Sequence, residues 1–175
     1  MRHTDAVPDT ASRLEQLLAS LTHPRHVFAS SGTFAAPGAD MPEFVDAICA
    51  FVERVVDKEA GDLFAYYTQG RPLRSMGYLQ RVDQSIFPLE THDDAVELLA
   101  EAASVSLAWS PQTVMNPSVA RKTAVEIVAA LGPEAIWWSN REETWVNGLT
   151  PVTFDLLVAG TNGTHFALLL QAEDD

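Results

Sequence analysis

Basic residues are scarce in this chain. Eleven Lys and Arg stand against twenty-four Asp and Glu, leaving a formal net charge of -13 at pH 7. A surface of that sign repels nucleic acid and anionic lipid and attracts basic proteins or cations. Cysteine is scarcer still: Cys49 is the sole one, which excludes an internal disulfide, and its place in an apolar helical pattern reads as a core thiol rather than a nucleophile. No apolar run approaches the roughly 18 residues of a membrane-spanning helix. The segment from Met1 to Thr10 carries Arg2 but no apolar stretch of the secretory kind, so the expected location is the cytoplasm. Nor does the chain hold a glycine-rich phosphate loop, a nucleophile elbow or an HExxH zinc motif. No cofactor and no metal are expected.

What the sequence does have is apolar periodicity. Forty-seven per cent of its residues are hydrophobic, and they fall into ordered segments that a disordered acidic tail would lack. At 175 residues the expectation is one globular domain, 1–175, with its own core. Leu14, Leu17, Leu18 and Leu21 predict a helix from about Thr10 to Leu21. The stretch Ser30 to Asp40 (SSGTFAAPGAD) reads as a loop. Asp40 with Glu43 has capping-box spacing, Pro42 suits a first turn, and Phe44, Ile48, Phe51 and Val55 form the seam of a second helix. Leu63 to Thr68 (LFAYYT) reads as a strand, turning at Gln69-Gly70-Arg71-Pro72 into another over Met76 to Val82. Two more helices follow. One starts near Thr91 and runs through Val105; the other opens at Asn116-Pro117 and stops before Gly132-Pro133. The last forty residues predict an antiparallel meander: AIWWS, TWVN, Val152 to Ala159 and Thr164 to Gln171. The expected class is α+β, with about four helices packed on an antiparallel sheet concentrated in the C-terminal third.

Asn162-Gly163 is a hairpin signal, and the overlapping glycosylation sequon is read only as that turn. With a two-residue loop, Val158 would pair with Ala167 and Leu157 with Leu168. Both faces of the hairpin are then apolar, so it must be covered on both sides, by helices, a fold of the sheet or a second subunit. Asp155 is the exception. A carboxylate among Phe154, Leu156 and Leu170 must be at a rim, hydrogen-bonded or functional. His165 falls on the other face in this register, which argues against an Asp155–His165 catalytic pair.

Three groups are candidate contacts. Asp93, Glu97 and Glu101 repeat every four residues along the third helix, a stripe that serves as a solvated face or as a surface for a basic partner. Trp137 and Trp138 must point to opposite faces of their strand; one is core, and the other is a candidate interface anchor or part of a strand buried on both sides, with Trp145 on a neighbouring candidate strand and Trp109 upstream. Arg71 and Arg74, with Arg81 and Tyr78, form a basic, aromatic stretch suited to an anionic ligand, to an interface or equally to internal ion pairing with the many carboxylates. Arg121, in the first turn of its helix, opposes the helix dipole and calls for an acidic neighbour. The string His92-Asp93-Asp94 resembles a metal motif without the all-helical context that would give it weight.

The final segment, FDLLVAGTNGTHFALLLQAEDD, resembles the C-terminal hairpin and acidic ending of small bacterial immunity proteins encoded beside polymorphic toxins. The resemblance covers about a quarter of the chain and transfers no site residue. It implies a protein that neutralises a basic toxin enzyme, a nuclease or nucleic-acid deaminase, by protein–protein contact, which agrees with the acidic surface. Two other readings stay open. One is a small enzyme or ligand-binding domain with a pocket near Arg71, Arg74 and Tyr78 or near Asp155; the other is a homo-oligomer joined through the apolar hairpin face.

Overall fold

The computed structural model describes residues 9–109, 112–143 and 145–174. The segment Met1 to Pro8 and Thr144, both part of the expectations above, lie outside them. The elements follow in chain order. They are α1 (Thr10–Ala19), β1 (Val27–Thr33), α2 (Met41–Arg54), a π-helical turn (Val55–Glu59), α3 (Gly61–Thr68), two 3₁₀ turns (Leu73–Met76 and Tyr78–Arg81), α4 (Val82–Ser85), β2 (Phe87–Pro88), α5 (His92–Ser104), α6 (Pro117–Leu131), β3 (Ile136–Ser139), β4 (Arg141–Glu142), β5 (Trp145–Val146), β6 (Phe154–Thr161) and β7 (His165–Glu173). Five strands pair antiparallel in the order β1-β7-β6-β3-β2, and β4 with β5 form a separate ribbon. The class is α+β.

Alternation along the central hairpin decides where the helices go. On β6, Leu156 and Val158 join a core with α1, α5 and α6, while Leu157 and Ala159 join a second core with α2, the π turn and α3. Ala167 and Leu169 of β7 belong to the first core, Leu168 and Leu170 to the second. Both faces are therefore covered by the chain's own helices. That removes the ground for a homo-oligomer joined through an open hairpin face.

The helix starts are set by local chemistry. Asp40 accepts from the Glu43 amide while the Glu43 carboxylate takes the Asp40 amide, the reciprocal capping box that its spacing predicts. Thr91 and Asp94 repeat the device at α5. Asn116 caps α6 with Pro117 in its first turn.

Three expected elements differ from the structure. Leu63 to Thr68 is helix, not strand: Phe64 and Thr68 are buried four residues apart while Ala65 and Tyr66 are exposed, a helical period that two adjacent tyrosines mask. Val55 and Val56 are both buried in the π turn, where Ala60 N–H closes on the Val55 carbonyl at 2.8 Å, and α3 continues from there. The expected strand over Met76 to Val82 is 3₁₀ turns broken at Gly77, where φ is 86°. Ser30 to Thr33 belongs to β1 rather than to a loop, because β7 offers it a free edge from Gln171 to His165.

The hairpin register is two residues wider than a two-residue loop allows. Thr161 faces Phe166 and Val158 faces Leu169. Asn162 Oδ1 accepts from the amides of Thr164 and His165, and Thr161 Oγ1 accepts from the Gly163 amide. Only Gly163 of the tip is left-handed, at φ 80°. A shift of two residues keeps every side chain on its expected face.

The tip is docked as well as turned: the Gly163 carbonyl accepts from the amides of Gly38 and Ala39 at 2.8 and 2.9 Å. Gly163→Val puts a β-branched residue at a left-handed position and should lower the unfolding free energy by about 1–2 kcal/mol in urea titration. An unchanged denaturation midpoint would mean that the tip tolerates another backbone.

Candidate functional site

The acidic residues gather at one sheet edge. A groove of about 620 Å³ runs between α5, the β2 segment and the β4–β5 ribbon. Phe87, Pro88, Leu89 and Leu98 give it apolar lining, and Glu90, Asp94, Glu97, Glu101, Glu142 and Glu143 surround them with Arg141 as the single cation. The α5 spacing brings Asp94, Glu97 and Glu101 to one side of the helix, the segment between β2 and α5 adds Glu90, and the ribbon and its turn supply Glu142 and Glu143. Arg141 is held by both oxygens of Glu101 at 2.9 Å. Arg121 stands 3.8 Å from Glu97, the acidic neighbour its position calls for. Asp93 is exposed one turn earlier, outside the groove lining. Among the described residues, no three His, Cys, Asp or Glu side chains are placed to hold a metal ion.

The tryptophans divide differently from the expectation. Trp137 is 2% exposed and pairs with Gly160, where an added Cβ would lie 2.5 Å from its ring. It is core and no anchor. Trp138 is half-buried on the opposite face, its ring centroid 5.0 Å from that of Phe44. Trp138 lies opposite Pro88 of the groove lining in the β2–β3 pairing but does not itself line the groove. The aromatic beside the groove is Trp145, 77% exposed and directly across the ribbon from Glu142.

The residues of the basic stretch find partners within the fold. Arg71 Nε donates to the Thr68 carbonyl at 3.4 Å and lines a cavity with Asp57 and Pro72. Arg74 pairs with Glu53 at 3.0 Å, while Tyr78 packs against the α2 core. Cys49 is half-buried against the same core, and burial, with Asp46 nearby, pushes its thiol up. His92 Nε2 lies 2.8 Å from the Ala135 carbonyl, a structural link between α5 and β3.

Asp155 is a buried anchor, 3% exposed. It accepts from Asn140 Nδ2 at 2.7 Å, the Leu149 and Thr150 amides at 2.9 and 2.8 Å, and Thr150 Oγ1 at 2.7 Å. Asn140 Oδ1 in turn accepts from the Leu157 amide at 2.7 Å. Burial holds the Asp155 carboxyl above the usual carboxylate range, and the bonds from Thr150, Leu149 and Asn140 oppose it. His165 is bound to Thr33 at 3.0 Å and belongs to the other face, so no Asp155–His165 pair exists.

A second buried carboxylate was not legible in the sequence. Glu173 accepts from Ser106 Oγ at 2.6 Å, the Ala108 amide at 3.1 Å and Gln171 Nε2 at 3.0 Å, with His26 Nδ1 at 3.9 Å. Burial alone would raise its carboxyl, but the bonds from Ser106, Ala108 and Gln171 and the nearby His26 outweigh it and hold the group below the ordinary range.

Comparison with protein-family models, with curated proteins and with solved structures finds no match to this chain.

Two predictions follow from the carboxylates. Asp155→Ala leaves two backbone amides and the Asn140 side chain without their acceptor, and should destabilise the fold by about 3 kcal/mol or more. A chemical denaturation series measures it, and a loss under about 1 kcal/mol would show that water replaces the carboxylate. Glu173 has the opposite pH sign to Asp155. Its folded pKa is depressed, so its contribution is complete above the unfolded value of about 4.3 and is lost as pH falls through the folded value. Glu173→Gln should therefore flatten the acid limb of a stability–pH profile; an identical limb would assign acid lability to other groups.

Proposed function

We propose that this chain is an acidic binding protein that neutralises a basic partner by protein–protein contact, as an immunity-type inhibitor does to a basic toxin enzyme. The observation that carries the reading is the groove between α5 and the β4–β5 ribbon, where six carboxylates face one arginine around an apolar strip. The charge attracts a cationic surface at a distance. The apolar strip and the exposed Trp145 give it something to bury on arrival. A nuclease or nucleic-acid deaminase must hold a polyanion, so its cleft is basic and is the kind of surface this groove complements.

The enzyme reading has less support. Asp155 is engaged by four donor contacts, His165 is tied to Thr33, and Arg74 is paired with Glu53.

The test is co-production with the protein encoded next to it. The proposal expects that neighbour to be basic, harmful when made alone and harmless when made with this chain. Association should slow steeply with added salt. Reversing Glu90, Glu97 and Glu142 to Lys should slow it about tenfold or more with little change in stability, since all three are exposed. Association that ignores both salt and the triple reversal would overturn the electrostatic reading.

A further inference from the structure

The two edges of the five-stranded sheet are built differently. At one, β2 has two residues, one of them Pro88, which has no N–H to offer, and carboxylates crowd beside it. At the other, β1 runs seven residues, VFASSGT, with no proline and no charge. Its register with β7 is one-to-one from Val27 to Thr33, without a bulge. Proline, charge and bulges are the devices that keep an edge from pairing with another chain, and β1 has none of them.

The backbone parity of β1 follows from its ends. The His26 carbonyl accepts from the Ala172 amide and the Phe34 amide donates to the Thr164 carbonyl, so even-numbered residues face β7. Val27 instead turns its N–H and C=O away from β7, to His23. Ala29 and Ser31 share that outward parity, and among the described residues their outward N–H and C=O groups have no hydrogen-bond partner. These residues floor a groove of about 350 Å³, walled by Glu15, Leu18 and Ala19 of α1 and Thr22 just after it on one side and Arg54 on the other. Only the small side chains of Ala29, Ser30 and Ser31 stand on the floor.

The geometry points to β1 as a strand-addition site for an extended, lysine- or arginine-bearing segment of a partner protein. Charge selects the occupant. A second copy of this chain would bring a further -13 to the seam. Arg54 is already neutralised by Glu59 at 2.7 Å, whereas Glu15 has no ion pair among the described residues. The cationic character of the segment rests on the basic-partner reading; the strand addition does not.

The probe is a seven-residue peptide of alternating valine and threonine with a lysine at each end, added to the isotope-labelled full chain. Amide NMR should show the largest shifts and slowed hydrogen exchange at Ala29 and Ser31. N-methylation along one edge of the peptide should weaken binding at least tenfold, and so should glutamate in place of the two lysines. Ser31→Pro removes an outward N–H without touching the β7 ladder and should also weaken binding. The N-methyl comparison decides the matter even if that variant fails to fold. Glu90/Glu97/Glu142→Lys should leave peptide binding at β1 unchanged, which separates this site from the acidic groove. Absence of binding at millimolar peptide, indifference to N-methylation, shifts confined to the α5 groove, or self-association through Ala29 and Ser31 would each overturn strand addition of a partner. Equal binding of the glutamate-ended peptide would overturn the choice of a basic segment.

Discussion

Burying both faces of the β6–β7 hairpin is the constraint from which the rest of the architecture follows. Each strand alternates between two cores, so neither α1, α5 and α6 nor α2 and α3 can be removed without exposing leucines that have nowhere else to go. A Leu or Phe fully withdrawn from water contributes roughly 1.5–3 kcal/mol, so each helical layer is held by many such terms at once. Helices on both sides also leave only the edges and ends of the sheet for recognition. The acidic groove and the open β1 edge are both edge features for that reason.

The polar groups near one end of the sheet solve the problem this burial creates. Asp155 and Glu173 lie on opposite faces beside the β6–β7 pairing of Asp155 with Ala172 and Phe154 with Glu173. Each is deep enough to need its own donors. Asp155 gathers the loop before β6, through Leu149 and Thr150; Glu173 gathers the loop after α5, through Ser106 and Ala108. Two carboxylates thus tie down the two irregular segments next to the sheet, and their opposite pKa directions show how differently the donors balance burial in the two places.

Where periodicity and capping chemistry agree, sequence reading finds the elements. Asp40–Glu43, Thr91 and Asn116-Pro117 mark helices that exist at those points, and the alternation in FDLLVAG and HFALLLQ implies burial of both faces. It fails where a short apolar run admits either period, as in LFAYYT, and where an element is made by its partner, as with Ser30 to Thr33 on β7. The groove was half legible. Glu97 and Glu101 follow from helical spacing, but Glu142 and Glu143 arrive from a ribbon about forty residues on, which no local pattern connects to Glu90 and α5. Nothing local marked Glu173 either, since its donors Ser106 and Ala108 belong to a loop remote in sequence.

The pairing of β1 with β7 has a kinetic consequence. The first strand of the sheet hydrogen-bonds to the last, and the backbone just before α2 is held by the Gly163 carbonyl at the hairpin tip. During synthesis β1 and α2 emerge long before β7, so their apolar residues wait without the surface that will bury them. Contacts of such separation make folding slow, because loop closure must precede its reward. Until β7 is made, β1 lacks the strand that pairs with one of its edges, and neither edge is then occupied by another strand.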